Sequence, residues 1–256
     1  MNKVCILSHA RCRTSLLIRS FGNAYDLKNK TESYSQVKKL SFKEQIILSK
    51  VKDKEVASHD LYEKKLKKFT DELFQQNKWV IKVWPRWFNS SEFCYNVNRN
   101  VKNLEACFRF SEYDQIILSK RDPVDSVCSL DLGVKYGYNS SDSVQSNYST
   151  KLKYSKFIDN SIHLHDWHKS FIMEICMIDT IKVYLDTKKI NYDYVEFDEI
   201  PNFVAKLPHN DNINYPIPID NKIDYTKAIP NYDEITYTIQ NYIKSIKPLL
   251  NSINFE

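Results

Sequence analysis

The sequence predicts an α/β domain of three layers, α/β/α, around a central, mostly parallel sheet. Four short runs of strand length and β-branched content, at 4–8, 79–84, 115–119 and 192–197, are almost continuously apolar. That pattern belongs to strands covered on both faces, as in a parallel sheet. Stretches of helical periodicity separate the runs, and strand–helix alternation with right-handed crossovers builds an open sheet. With only 3 Gly and 8 Pro in 256 residues, no flexible linker divides the chain, so 1–256 reads as a single domain.

The first run leads into a helical pattern over 14–21. A second, 59–75, sets Leu61, Leu66, Phe69 and Leu73 on roughly one face, with Lys64, Lys65, Lys67 and Lys68 on its solvated side. Pro123 opens a helix after the 115–119 run, since a missing N–H costs nothing in a first turn. Residues 166–188 form a long, mostly apolar helix, and 234–250 the last one. The segments 137–149 and 208–230, rich in Ser, Asn, Asp or Pro, read as loops of the kind that cover ligands at a sheet's carboxyl edge. The pentapeptide Ile-Ile-Leu-Ser-Lys occurs at 46–50 and again at 116–120, but the flanks do not match, so it marks no internal repeat.

Apolar residues at 42% and charged residues at 27% supply a core and exclude a disordered chain. A formal charge of +5 favours anionic ligands, yet no Lys/Arg block or basic stripe points to nucleic acid. The six cysteines lie scattered without a CxxC pair, which reads as reduced thiols in a cytoplasmic compartment. No apolar stretch reaches the length of a signal peptide core or a membrane span.

Chemistry concentrates after the first strand, in Ser8-His9-Ala10-Arg11-Cys12-Arg13-Thr14-Ser15-Leu16. A strand, a tight basic turn and a helix start bring free N–H groups and the positive end of a helix dipole together, which suits phosphate or sulfate. Arg11, Arg13 and the hydroxyls of Thr14 and Ser15 would add charge-assisted hydrogen bonds. An ordinary N-cap by Thr14 with surface arginines fits the same residues. The nucleotide-kinase pattern GxxxxGK[ST] is absent, because no Gly or Lys lies between Val4 and Ser20.

A second segment follows the third run: Lys120-Arg121-Asp122-Pro123-Val124-Asp125-Ser126-Val127-Cys128-Ser129. As a plain helix entry it needs only Asp122 as N-cap and an exposed Arg121. As a ligand site, a fork-shaped guanidinium and a hydroxyl eight positions on can grip a phosphate dianion.

Together the two segments resemble the sulfotransferase family. Arg11-Cys12-Arg13-Thr14-Ser15-Leu16 is similar to its 5′-phosphosulfate loop, Lys/Arg-Ser-Gly-Thr-Thr/Ser-apolar, departing at Cys12 (usually Ser) and Arg13 (usually Gly). Arg121, Pro123 and Ser129 match its 3′-phosphate motif, Arg-x-Pro-x-x-x-x-x-Ser. A third stretch, 194–200, resembles a strand-ending Tyr-Glu-Asp-Leu segment of the family and reads as structural. The resemblance implies a P-loop NTPase-like sulfotransferase fold. It also implies a nucleotide donor, 3′-phosphoadenosine 5′-phosphosulfate (PAPS, leaving as PAP), and sulfuryl transfer to an acceptor hydroxyl or amine without a metal.

On that reading Arg11, Cys12, Arg13, Thr14 and Ser15 hold the 5′ side, Arg121 and Ser129 the 3′-phosphate, and Lys82 and Arg11 neutralise charge at the transferring group. Many members place a histidine base in Lys-x-His-x-Pro, but here Trp84 occupies its place in Lys82-Val83-Trp84-Pro85. Other branches use a Glu after the first helix, and Glu32, 21 positions past Arg11, resembles it. Glu32 is therefore the expected base, with His59, read as an exposed helix-start histidine, as a weaker contender. Lys227, with Lys222 beside it in the same loop, is the expected basic contact from the C-terminal region. His163, His165 and His168 lie where a loop enters a helix and match no zinc spacing closely, so they read as structural or surface residues. Trp84, Trp87 and Phe88 fit an acceptor platform for a carbohydrate, tyrosine, phenol or lipid, and fit a core equally well. Two rival functions remain: a P-loop-class phosphotransferase, which lacks its Walker lysine here, and a non-catalytic nucleotide- or glycan-binding module.

Overall fold

A computed structural model describes residues 1–31, 37, 40–88, 101–135, 161–208, 224–253 and 255. Five parallel strands form one sheet: β1 (Lys3–Ser8), β2 (Lys28–Asn29), β3 (Trp79–Val83), β4 (Gln115–Lys120) and β5 (Asp193–Glu196), in the order β2-β3-β1-β4-β5. The helices among the described residues are α1 (Thr14–Tyr25), α2 (Phe42–Lys50), α3 (Lys54–Phe74), α4 (Leu104–Phe108), α5 (Pro123–Lys135), α6 (Asp166–Thr187), α7 (Ile200–Ala205), α8 (Tyr225–Ala228) and α9 (Tyr232–Asn251). The expected α/β architecture is what forms, and the sheet is parallel throughout.

Alternation along β1 separates the layers. Val4 and Ile6 pack with Leu17 and Phe21 of α1 and Ile200 and Val204 of α7 on one face. Cys5 and Leu7 point to the other, against Tyr62 and Leu66 of α3 and Ile178 and Ile181 of α6. The outer side of α6 carries Ile172, Ile175 and Cys176 into a further cluster with α5, α8 and α9. Cover on two sides explains why this helix is mostly apolar, with Lys169, Ser170, Asp179 and Asp186 among its exposed positions.

Several boundaries differ from the sequence expectation for local reasons. β3 stops at Val83, and Trp84 leaves the sheet into a 3₁₀ turn over Pro85–Phe88. α3 starts five residues early, where the Asp53 carboxylate accepts from Val56 N at 3.1 Å. His59 is therefore one turn inside the helix, buried, with Nε2 3.2 Å from Glu63, and is not an exposed helix-start residue. α2 was not expected at all; Ser41 and Glu44 bond each other's backbone N–H in a capping box that starts it. The segments read as loops at 137–149 and most of 208–230 lie outside the described residues.

Five cysteines (Cys5, Cys12, Cys107, Cys128 and Cys176) are buried and free, and burial pushes the Cys107 and Cys128 thiols up to about 12. Such thiols stay protonated and behave as small apolar side chains. Cys94 lies outside the described residues. No helix among those residues is long and apolar enough to cross a membrane.

At the amino edge of the sheet Trp79 is fully buried, with Phe74 and Tyr113 edge-on to its indole at 5.2 and 5.4 Å between centroids. Trp79→Ala is expected to cost about 3–5 kcal/mol in urea unfolding, because the cavity cannot collapse against a sheet. A loss below about 1 kcal/mol would show that these rings do not anchor the core.

Candidate functional site

Adjacent parallel strands whose chains depart in opposite directions open a crevice at their carboxyl ends. Here the pair is β1 and β4: the chain leaves β1 toward β2 and β3, and leaves β4 toward β5. Their register sets Ser8 beside Ser119, so the turns 9–13 and 121–122 emerge side by side.

The first turn is built on unusual backbone. Arg11 (φ 63) and Arg13 (φ 48) both lie in the left-handed region, with Cys12 between them outside it. Alternation of this kind points successive N–H groups inward to form an anion-binding nest. Each non-glycine residue held so costs on the order of 1 kcal/mol, and such strain persists where surrounding structure enforces it. Arg13 is the N-cap of α1 and no side chain caps the helix. The Thr14 hydroxyl instead turns inward, 3.0 Å from Ser8 Oγ and donating to the His9 carbonyl at 3.5 Å. Cys12 is also turned inward, with Sγ 3.2 Å from Ser119 Oγ. Of the predicted set, Cys12 and Thr14 thus bury their side chains, Ser15 is exposed, and Arg11 and Arg13 are half-buried.

The second turn locks onto the first. Asp122 Oδ1 accepts from Val124 N and Asp125 N and caps α5, yet Arg121 is buried, not exposed. Arg121 Nη1 donates to the Arg11 carbonyl at 3.3 Å and Nη2 to the Tyr225 hydroxyl at 3.1 Å. Its Nε is buried without a hydrogen-bond partner among the described residues. Two of five guanidinium donors are used, and three remain. Phe197, just past β5, lies under both arginines, 4.2 Å from the Arg13 guanidinium carbon and 4.1 Å from that of Arg121. The stretch read as structural therefore contributes a cation platform to the site. Ser129 lies half-buried on α5.

His9 joins the turns from below. It is fully buried, accepts from Arg121 N at Nε2 (3.1 Å), and its Nδ1 lies 2.6 Å from the Ala10 carbonyl. Burial, with the cations Lys82, Arg121 and Lys120 nearby, pushes its pKa down to about 3, against which the Ala10 bond works. Sequence reasoning gave this residue no role, because a lone histidine after a strand matches no motif.

Lys82 comes to the same place from β3. Its Nζ donates to the His9 carbonyl at 3.1 Å and sits 3.4 Å from the centre of the Trp84 ring. Burial lowers its pKa to about 7, partly opposed by Glu174. The Arg86 guanidinium lies against the same indole at 4.2 Å and pairs with Glu174 at 3.9 Å. Trp84, Trp87 and Phe88 divide accordingly: Trp84 carries cations, while Trp87 and Phe88 are buried in the core.

Glu32 lies outside the described residues. Thr31 before it accepts the Lys82 backbone N–H at 2.9 Å, which ties that part of the chain to the β3 end of the crevice. Lys222 lies outside them too. Lys227 is an exposed residue of α8 paired with Asp224 at 2.9 Å, and the residue that reaches the crevice from α8 is Tyr225. His168 is a buried capping residue: Nδ1 accepts from His165 N, and Nε2 lies 3.4 Å from Asp131.

The fold and this crevice define an open α/β protein with clustered cations at its switch point. Comparison with family models, curated proteins and solved structures finds no match to the chain.

The pKa of His9 makes a stability prediction. A depressed histidine favours folding above its unfolded value of 6.5, and that contribution is lost as pH falls through the interval toward 3, where only the unfolded chain takes the proton. From pH 6.5 to about 5 the unfolding free energy should fall by roughly 1.5–2 kcal/mol, near the limit of 1.36 per unit. The depressed carboxylates of Glu44 and Glu112 act below 4.5 and the depressed Lys82 chiefly above about 7, so comparison with His9→Phe isolates His9 in this window. Urea midpoints across it should slope for wild type and run flat for His9→Phe; a flat wild-type profile would mean that folded His9 titrates normally.

Proposed function

We propose that the chain is a PAPS-dependent sulfotransferase, moving a sulfuryl group to an acceptor hydroxyl or amine. One observation carries the reading: the Arg121 guanidinium reaches the Arg11 carbonyl at 3.3 Å, so the two segments that resemble the family's 3′ and 5′ phosphate motifs share one crevice. A single nucleotide can span both. The orphaned Arg121 Nε supports it, since a buried guanidinium edge without a partner fits an oxyanion.

In this reading the 3′-phosphate lies on the remaining Arg121 donors and Ser129. The 5′-phosphosulfate lies on the backbone amides from Cys12 to Ser15 at the start of α1, with the Arg11 and Arg13 side chains over it. The acceptor oxygen attacks sulfur in line, the bond from sulfur to the bridging 5′-phosphate oxygen breaks, and PAP leaves with the electron pair. The acceptor proton passes to Glu32. The protein supplies orientation and positive charge, as in phosphoryl transfer. Lys82 supports the β1 turn through the His9 carbonyl, beneath the transferring group.

Calorimetry with PAP tests the assignment. Arg121→Ala should weaken binding by about 1.5–3 kcal/mol, the range for a hydrogen bond to a charged group. Arg121→Lys should not restore it, because an ammonium lacks the planar fork. Unchanged affinity in both variants, or preferential stabilisation by ATP with magnesium over PAP in thermal melts, would overturn the reading. Radiolabel transfer from PAPS to a panel of sugars, tyrosine peptides, phenols and lipids checks the reaction itself.

A further inference from the structure

The hydrogen bonds around His9 fix its chemical form without reference to acidity. Nε2 faces the Arg121 backbone N–H, which can only donate, so Nε2 carries a lone pair. Nδ1 faces the Ala10 carbonyl oxygen, which can only accept, so Nδ1 carries the proton. One ring thus ties the amide of the second turn to the carbonyl of the first. The His9 backbone carbonyl takes three more donors, Ser8 Oγ from β1, Lys82 Nζ from β3 and Thr14 Oγ1 from α1. Phe171 of α6 closes the remaining side, edge-on at 5.8 Å between ring centres. With no polar atom of the ring exposed to solvent, His9 cannot touch a ligand and can act only on the groups that do.

Resting on the sulfotransferase reading, we infer that His9 is a positioning residue, a neutral Nδ1-protonated imidazole that sets the spacing between the two anion-binding turns and so matches the crevice to a ligand phosphorylated at both ends. The Arg121 amide joins the guanidinium's own residue to the end of β4, and His9 accepts from that amide. Moving it shifts the 3′ grip relative to the 5′ nest. Each turn alone keeps its own donors: the α1 amides for one phosphate and the guanidinium for the other. Loss of His9 therefore falls on ligands that need both turns at once.

Two measurements test this. Nitrogen-15 NMR of wild type at neutral pH should show the His9 ring protonated at Nδ1 with Nε2 unprotonated; the Nε2-protonated tautomer or an imidazolium would overturn the proposal whatever the protein binds. Calorimetry with PAP, 5′-AMP and 3′-AMP should show His9→Phe, which keeps the ring shape, weakening PAP by roughly tenfold, the worth of about one net hydrogen bond, with less than roughly threefold change for either monophosphate. His9→Gln, which can offer an acceptor near the Nε2 position, should recover most of the PAP affinity. An equal loss for all three nucleotides would mean that His9 only stabilises the fold, and overturns the inference. If wild type binds none of them, the sulfotransferase reading fails while the tautomer still decides the state of His9.

Discussion

Parallel pairing of β1 with β4 governs what this molecule can do. Register between the strands, Ser8 to Ser119, brings turns 110 residues apart in sequence within one hydrogen bond of each other. The pairing is held by side chains that face both layers: Ile6 and Ile117 toward α1, Leu7 and Leu118 toward α6. A slip of one residue would reverse every one of these side chains, so the apolar pattern enforces the register and the register enforces the crevice. Two-sided burial is thus the physical origin of the site, not only of the sheet.

Cations are gathered in this crevice in a way that leaves charge to spend. Arg121 is held by a carbonyl, a phenol and an aromatic face, and Lys82 by a carbonyl and an indole. Neither makes a salt bridge to a carboxylate among the described residues. Burying a charge with neutral partners costs more than pairing it with an acid, and a protein that needed only stability would replace both residues with apolar ones. Lys82 registers that cost as a pKa near 7. An arriving dianion would reverse the penalty, and that is the argument for reading the cluster as a ligand site.

The strands were legible because near-continuous apolar runs are hard to mistake: each of the four expected runs overlaps an observed strand almost residue for residue. β2 was not, since two exposed residues, Lys28 and Asn29, carry no apolar signal and pair only because β3 is there. The repeated Ile-Ile-Leu-Ser-Lys shows how far local sequence reaches. At 46–50 it is helix, driven by the Ser41–Glu44 capping box; at 116–120 it is the central run of β4, enclosed by both layers. Five residues with one composition take the conformation their surroundings dictate. In the site, residues with motif spacing, Arg11 and Arg121, were found, while His9, Phe197 and Tyr225 were not. They act through contacts across 104 to 184 positions that no linear pattern records. Tyr225, two residues before Lys227, is likewise a contact that no motif announces.

The two departures of the β1 turn from the pattern it resembles have physical accounts here. Cys12 stands where a hydroxyl is usual, and its sulfur lies 3.2 Å from Ser119 Oγ, a weaker but adequate partner in a closed apolar setting. Arg13 stands where glycine is usual and still adopts the left-handed conformation that glycine would take freely. The strain is offset by what glycine could not offer: a guanidinium that stacks on Phe197 and donates to its carbonyl at 3.4 Å. Because Arg121 stacks on the same ring, the substitution couples the two turns through Phe197 above, as His9 couples them below. A backbone that tolerates this residue at this φ is one whose neighbours leave it no alternative, which is the preorganisation an anion site requires.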